Sequence, residues 1–304
     1  MILAAGLTPA WQQIMRFNQM RVGEVNRAAE VAWCASGKVI NVGLALGALG
    51  VPSHTLSPAG GWSGAALRAE FTPSATWTLT QTPTRVCTTI LNEGDGATTE
   101  LVENAAPLTD AERDEFVTQY RRLVPSAKTV VLTGSLPRGT PTTFYRDLIR
   151  QTPCPVVLDA RGPELTAALE CRPRVVKPNR DELAMTIGRP LPDRAAVLAA
   201  MRELIERGAQ SVIVTNGKSA VWVMEGSQTW ELTPPAVTPV VNPIGCGDCF
   251  AAGVAWGLAR GDNLIDAVRL GMAAAAENVT HLLPARLTLA RVEAWQARIS
   301  FVHV

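Results

Sequence analysis

The chain has almost no net charge: 28 Lys and Arg stand against 27 Asp and Glu over 304 residues. Without an excess of either sign there is no electrostatic footprint for nucleic acid or an anionic membrane surface, so a small molecule is the expected partner. No stretch reaches the roughly 20 unbroken apolar residues that span a bilayer. Met1-Ile2-Leu3 lacks the basic flank of a secretion signal, and a cytoplasmic protein is expected. Histidine is scarce, and His54, His281 and His303 are scattered. Six cysteines, at 34, 87, 154, 171, 246 and 249, form no regular framework. Cys246 and Cys249 have the Cys-x-x-Cys spacing of a redox pair or half a zinc site, but no second pair follows at zinc-ribbon distance. Both sulfurs are read as small side chains. No Gly-x-Gly-x-x-Gly turn follows the first strand, which argues against a dinucleotide-dependent dehydrogenase. What is plentiful is apolar content, 47% of the chain, enough for one large core.

Short β-branched runs alternate with helical segments. Residues 128–132, 156–159, 175–177 and 211–215 read as buried parallel strands, and 109–123, 141–151, 163–170, 179–187 and 192–208 as helices. That alternation predicts an α/β fold, a mostly parallel sheet covered on both faces, with ligands beyond the carboxyl ends of the strands. The polar residues that follow strands are Gly134-Ser135-Leu136-Pro137-Arg138-Gly139, Asp159, Lys177-Pro178-Asn179 and Thr215-Asn216-Gly217. Residues 11–17 and 76–101 break the pattern with Thr-, Val- and Trp-rich runs and a hairpin-like Asn92-Glu93-Gly94-Asp95-Gly96. They predict a small sheet that closes as a lid, packs as an ordinary β-excursion, or forms a dimer interface.

The most informative run is Asn242-Pro243-Ile244-Gly245-Cys246-Gly247-Asp248-Cys249-Phe250, leading into Ala251-Ala252-Gly253. Glycines flanking one small residue let the backbone turn tightly at the start of an apolar helix. Free N–H groups and the positive end of the helix dipole then meet in one place that suits a phosphate. Asp248 among those donors fits a base for a hydroxyl that attacks the phosphate. The plain alternative is a Gly-rich turn with Asp248 as the helix N-cap.

This run resembles the C-terminal signature of the ribokinase-like (PfkB) carbohydrate kinases, with Cys246 where alanine or serine is common. Ser36-Gly37-Lys38-Val39-Ile40-Asn41-Val42, followed by Leu46-Gly47-Ala48-Leu49-Gly50, is similar to the first signature. Thr84-Arg85, Gly134 to Gly139 and Lys177-Pro178-Asn179-Arg180-Asp181-Glu182-Leu183 resemble the branch containing 1-phosphofructokinase and tagatose-6-phosphate kinase. The resemblance covers nearly the whole chain. It implies a single domain over 1–304 with a three-layer α/β/α core and lid segments near 10–35 and 75–104. It further implies ATP and Mg²⁺ as cofactors, a sugar or sugar phosphate as acceptor, a homodimer through the lid, and leaves a monovalent-cation requirement open. Carried over by position, Asp248 is the base and Gly245, Cys246 and Gly247 the anion hole. Asn179 and Glu182 hold Mg²⁺ and its waters. Lys177, Thr215, Asn216, Gly217 and Asn278 attend the nucleotide. Gln12, Gly37, Lys38, Asn41, Arg85 and Arg138 attend the acceptor, with Lys38 and Arg85 on its existing phosphate. For Asn179 and Glu182 the plain alternative is an N-cap with an acidic first turn.

Three departures bear on the sugar. Thr8-Pro9-Ala10-Trp11-Gln12 stands where the branch has Asn-Pro-Ala-x-Asp, and an amide both donates and accepts where a carboxylate only accepts. Val39 replaces a glycine and is expected to crowd the sugar, and Cys87 replaces an amide. The competing functions are a nucleoside or neutral-sugar kinase, favoured if Lys38, Arg85 and Arg138 do not converge, and a catalytically silent nucleotide-binding regulatory protein.

Overall fold

The computed structural model describes all residues 1–304. Its strands are β1 (Ile2–Ala5), β2 (Ala10–Phe17), β3 (Glu30–Ser36), β4 (Ser53–Gly60), β5 (Ala75–Thr80), β6 (Val86–Asn92) and β7 (Ala97–Val102). These are followed by β8 (Thr129–Thr133), β9 (Val156–Asp159), β10 (Val175–Val176), β11 (Ser211–Val214), β12 (Val221–Glu225), β13 (Gln228–Thr233) and β14 (Ser300–His303). The helices are α1 (Lys38–Ala48), α2 (Gly61–Glu70), α3 (Asp110–Leu123), α4 (Phe144–Ile149) and α5 (Gly162–Ala168). The remainder are α6 (Arg180–Ile187), α7 (Arg194–Glu206), α8 (Cys246–Arg260), α9 (Leu264–Asn278) and α10 (Leu289–Gln296).

Ten strands form one sheet in the order β14-β13-β12-β11-β10-β9-β8-β1-β4-β5. From β11 to β5 every pairing is parallel; β12, β13 and β14 add an antiparallel edge. Because strand side chains alternate between faces, neighbouring residues enter different cores. Ile2, Ala4, Val131, Val157 and Val175 join the core under α1, α8, α9 and α10. Leu3, Ala5, Val130, Leu132, Val156 and Val176 join the core under α3 to α7. Two cores on one sheet make the expected three-layer α/β/α arrangement. On the first face α8 and α9 cross closely enough that a Cβ on Gly253 would lie 2.6 Å from the Gly271 Cα.

The four expected strands stand as β8, β9, β10 and β11. The segment at 141–151 yields only the short α4: Pro141 to Thr143 form a turn in which the Phe144 N–H bonds to the Pro141 carbonyl. A separate small sheet has the order β3-β2-β6-β7, antiparallel except for the β2–β6 pair. The expected hairpin at Asn92 to Gly96 joins β6 and β7. Residues 75–80 do not belong to this sheet: β5 pairs in parallel with β4 at the edge of the large one. On the cavity side of the small sheet the alternation places Ala10, Gln12, Cys87, Glu100 and Val102. Trp11 and Trp33 stack on the other side with ring centroids 6.1 Å apart.

Candidate active site

A cavity of about 1220 Å³ opens between the carboxyl ends of the parallel strands and the small sheet. Two helix starts shape its floor. Gly37 at φ +95° ends β3 and lets α1 begin at once, which presents Lys38 and, one turn later, Asn41. Gly245 at φ +84° does the same for α8, so the N-cap is Gly245 and Asp248 lies in the first turn. The Gly245 and Gly247 N–H groups have no acceptor within the chain, whereas Cys246 donates to the Pro243 carbonyl at 3.3 Å. The loop expected to bind phosphate therefore offers two free amides at a helix N-terminus rather than three.

Asp248 is buried, and Asn41 Nδ2 donates to its Oδ2 at 2.7 Å. Asn41 is itself held, its Oδ1 accepting from Ser36 Oγ at 3.2 Å. Burial lifts the Asp248 carboxyl to about 7, with Asp159 adding to the rise; Lys38, Asn41 and Lys177 act against it. A carboxyl raised toward neutral pH suits proton transfer.

Beside it lies a second charged centre that sequence reading underweighted. Asp159, at the end of β9, receives Lys38 Nζ at 3.1 Å and Lys177 Nζ at 3.4 Å on one oxygen. Burial alone would lift its carboxyl, but Lys177 and Lys38 hold it below the ordinary range. Lys38 also reaches Glu182 Oε1 at 3.2 Å. Asn179 and Glu182 form a capping box: Asn179 Oδ1 accepts from the Glu182 N–H at 2.8 Å, and Glu182 Oε2 from the Asn179 N–H at 3.0 Å. The cap and the cavity wall are the same two residues.

At the end of the cavity lined by the small sheet, Arg85 donates to the Pro9, Thr8 and Glu103 carbonyls at 3.1–3.3 Å, and its charge acts on the Glu100 carboxyl. Gln12 Nε2 is held by Thr89 Oγ1 at 2.8 Å, which leaves its carbonyl oxygen for a ligand. At the opposite end Thr215, Gly217 and Lys218 meet an apolar slot of Val221, Val237, Val240, Met272, Ala275, Ala276 and Val279.

The profile of the pfkB family of carbohydrate kinases matches residues 9–287. The chain belongs to the pfkB family. Among solved structures it is similar to a possible 1-phosphofructokinase from Thermotoga maritima (TM-score 0.91, 22% identity, covering 100% of this chain and 99% of that one). It is also similar to Escherichia coli phosphofructokinase-2 in complex with fructose-6-phosphate (TM-score 0.85, 25% identity, 98% and 99% covered). Ribokinase of Arabidopsis thaliana with ribose and ATP is a more distant likeness (TM-score 0.74, 19% identity, 97% and 98% covered). The protein is a carbohydrate kinase of ribokinase-like fold.

Fourteen of the residues picked from the sequence of this pfkB kinase line the cavity: Gln12, Gly37, Lys38, Asn41, Arg85, Lys177, Asn179, Glu182, Thr215, Gly217, Gly245, Cys246, Gly247 and Asp248. Three do not. Arg138 is exposed on the loop after β8, away from the cavity wall. Asn216 is not on the cavity wall, although Thr215 and Gly217 on either side of it are. Asn278 is wholly buried: its Nδ2 donates to the Ile244 carbonyl at 2.9 Å and its Oδ1 accepts from the Ala285 N–H at 2.7 Å, so it braces the phosphate loop from below. Val39 does not crowd the sugar either, since it points into the core of α1 beside Gly6. Burial raises the Cys246 thiol to about 11, and Cys249 is buried behind it, which keeps both as neutral small groups. Sequence reading missed Glu100 and the 234–240 loop; the signals were strand alternation in β7 and the apolar, proline-rich run Pro234-Pro235-Ala236-Val237.

Proposed function

We propose that this pfkB kinase transfers the γ-phosphoryl group of ATP to a hydroxyl of a sugar or sugar phosphate. The observation that carries the reading is Asp248, buried, held by Asn41 and lifted to about 7, in the first turn of the helix that the free Gly245 and Gly247 amides begin. Asp248 takes the proton from the attacking alcohol. The two amides stabilise charge on the transferring group, and Lys177, whose Nζ would lie 3.7 Å from a Cβ on Gly247, adds a cation to the same place. The apolar slot from Val221 to Val279 accepts the base. The small sheet excludes water, which otherwise competes with the acceptor.

The family implies a divalent metal, and the donor chemistry here fits Mg²⁺. Asn179 and Glu182 present hard oxygens, each already accepting one hydrogen bond, an arrangement suited to an ion that keeps its own water. Mg²⁺ there would neutralise charge on the nucleotide phosphates.

For the acceptor, Arg85 supports a phosphorylated sugar, and the likeness to phosphofructokinase-2 with fructose-6-phosphate points the same way. Three observations favour a neutral sugar or nucleoside: Arg138 is off the cavity, Lys38 is shared by two carboxylates, and Glu100 lines the wall. A coupled ADP-release assay with Mg²⁺ across sugars, sugar phosphates and nucleosides decides between them. Absence of turnover on all three, with ATP bound, leaves the silent nucleotide-binding protein instead. We also propose that the outer face of the small sheet, with Val31, Trp33 and Leu101 exposed, joins two copies. Trp33→Glu then lowers the mass seen by sedimentation.

A further inference from the structure

Glu70, the last residue of α2, touches neither the cavity nor any group of the proposed chemistry, yet it joins two parts of the site. One carboxylate oxygen accepts from the backbone N–H of Ala35 on β3, the outer strand of the small sheet. The other pairs with Arg286 at 2.5 Å. Arg286 belongs to the segment that supports the phosphate loop: its guanidinium also donates to the Pro284 carbonyl at 3.3 Å, and the next residue back, Ala285, donates to Asn278, which holds Ile244. Pro284 packs so closely under the loop that a Cβ on Gly245 would lie 2.8 Å from it. A continuous set of polar contacts thus runs from the small sheet, around the outside of the cavity, to the amides that would receive the phosphate.

We propose that the Glu70–Arg286 pair is a positioning device that ties the seating of β3 to the order of the phosphate loop, so that nucleotide on the loop steadies the strand facing the acceptor. The inference rests on the kinase reading. Side-chain carboxylate and guanidinium groups that are each about a third exposed contribute little to stability as a pair, so a purely structural role would leave little trace when the pair is cut. Coupling between distant sites typically appears as a factor of 5 to 150, or about 1–3 kcal/mol.

The test is amide hydrogen exchange with and without a non-hydrolysable ATP analogue and Mg²⁺. In the unaltered protein the analogue is expected to slow exchange in residues 243–248 and also, by about fivefold or more, in residues 30–36. In Arg286→Met, which leaves the Glu70 bond to Ala35 in place, protection stays at 243–248 and is lost at 30–36; Arg286→Lys should restore part of it. Adding Glu70→Gln to Arg286→Met removes no further response. Transmission to β3 that survives in Arg286→Met, that is absent from the unaltered protein, or that falls additively in the double variant overturns the proposal. Failure of the analogue to protect 243–248 at all overturns the kinase reading beneath it, a distinct result.

Discussion

Asn41 Nδ2 and Asp248 Oδ2 lie 2.7 Å apart, joining the first turns of two helices that begin at widely separated points in the chain. This bond favours the ionised carboxylate and so restrains the rise that burial causes. In Asn41→Ala the restraint is gone, and the Asp248 carboxyl moves above about 7. A hydrogen bond to a charged group is worth about 1.5–3 kcal/mol, or roughly one to two pH units. The acidic limb of the kcat/KM profile is therefore expected to move upward by about that much, with activity partly recovered at pH 9. An unmoved limb would mean that another group sets it.

Asp248→Asn separates catalysis from stability. Loss of a positioned base costs on the order of 10² to 10⁴ in turnover. The stability effect has the opposite sign. Burial lifts the folded carboxyl from its ordinary 3.8 to about 7, so between those values the native state keeps a proton that the unfolded chain has released. Stability then falls as pH rises through that window and stays lower above it. The asparagine variant has no such loss: its Tm should equal that of the unaltered protein near pH 4 and exceed it by several degrees at pH 8, since each kcal/mol is worth roughly 2–4 °C in a domain of this order. Equal melting curves at both pH values would contradict the buried, strained carboxylate.

Much of this was legible in the chain because it depends on local pattern. Strands β8 to β11 announce themselves as runs of Val, Ile and Leu, and the two cores follow from alternation within those runs. Gly245, Gly247 and Asp248 stand within four positions of one another in a run that resembles a family signature, so local sequence alone sets them together at the start of α8. Residues whose role depends on distant partners were not readable in this way. Asn278 sits on α9, whose Met272, Ala275 and Ala276 line the apolar slot, and nothing near it in sequence shows that its amide is consumed by Ile244 and Ala285. Lys38 reads as a free cation until the fold brings Asp159, 121 positions away, and Glu182 against it. The strand at 75–80 has the same composition as its neighbours in the small sheet, and only register against β4 assigns it to the large one.

Glu100 and Arg85 make acceptor choice testable. Both line the cavity wall, and the Arg85 guanidinium acts against the rise that burial causes in the Glu100 carboxyl. A phosphate dianion beside it meets repulsion that a hydroxyl does not. Glu100→Gln should raise kcat/KM for a sugar phosphate relative to the matching neutral sugar by about tenfold, one Coulomb contact of about 1.4 kcal/mol in a partly wet site. Arg85→Ala should move the ratio the other way. Ratios that do not respond to either change would place the distinguishing contacts elsewhere in the cavity.

The two glycines of the phosphate loop should fail in different ways. Gly245 has φ +84°, and a Cβ there would lie 2.8 Å from the Pro284 side chain. Gly245→Ala therefore strains the backbone and displaces the segment that carries Asn278's contacts, at a cost of about 1–3 kcal/mol, and Tm should fall. Gly247 is helical, and its added Cβ would meet only Lys177 Nζ, at an ordinary 3.7 Å. Gly247→Ala should fold with an unchanged Tm, yet it adds a methyl group to the cavity wall beside Lys177 Nζ, where it is expected to crowd the phosphoryl group. Alanine keeps the N–H, so the cost arises from displacing the phosphoryl group, about 10² in turnover for a shift of about 1 Å. Stopped-flow turnover and calorimetry on the pair, measured together, check this: stability lost in one and rate lost in the other. Full activity in Gly247→Ala would mean that the transferring group does not pass close to the Gly247 Cα.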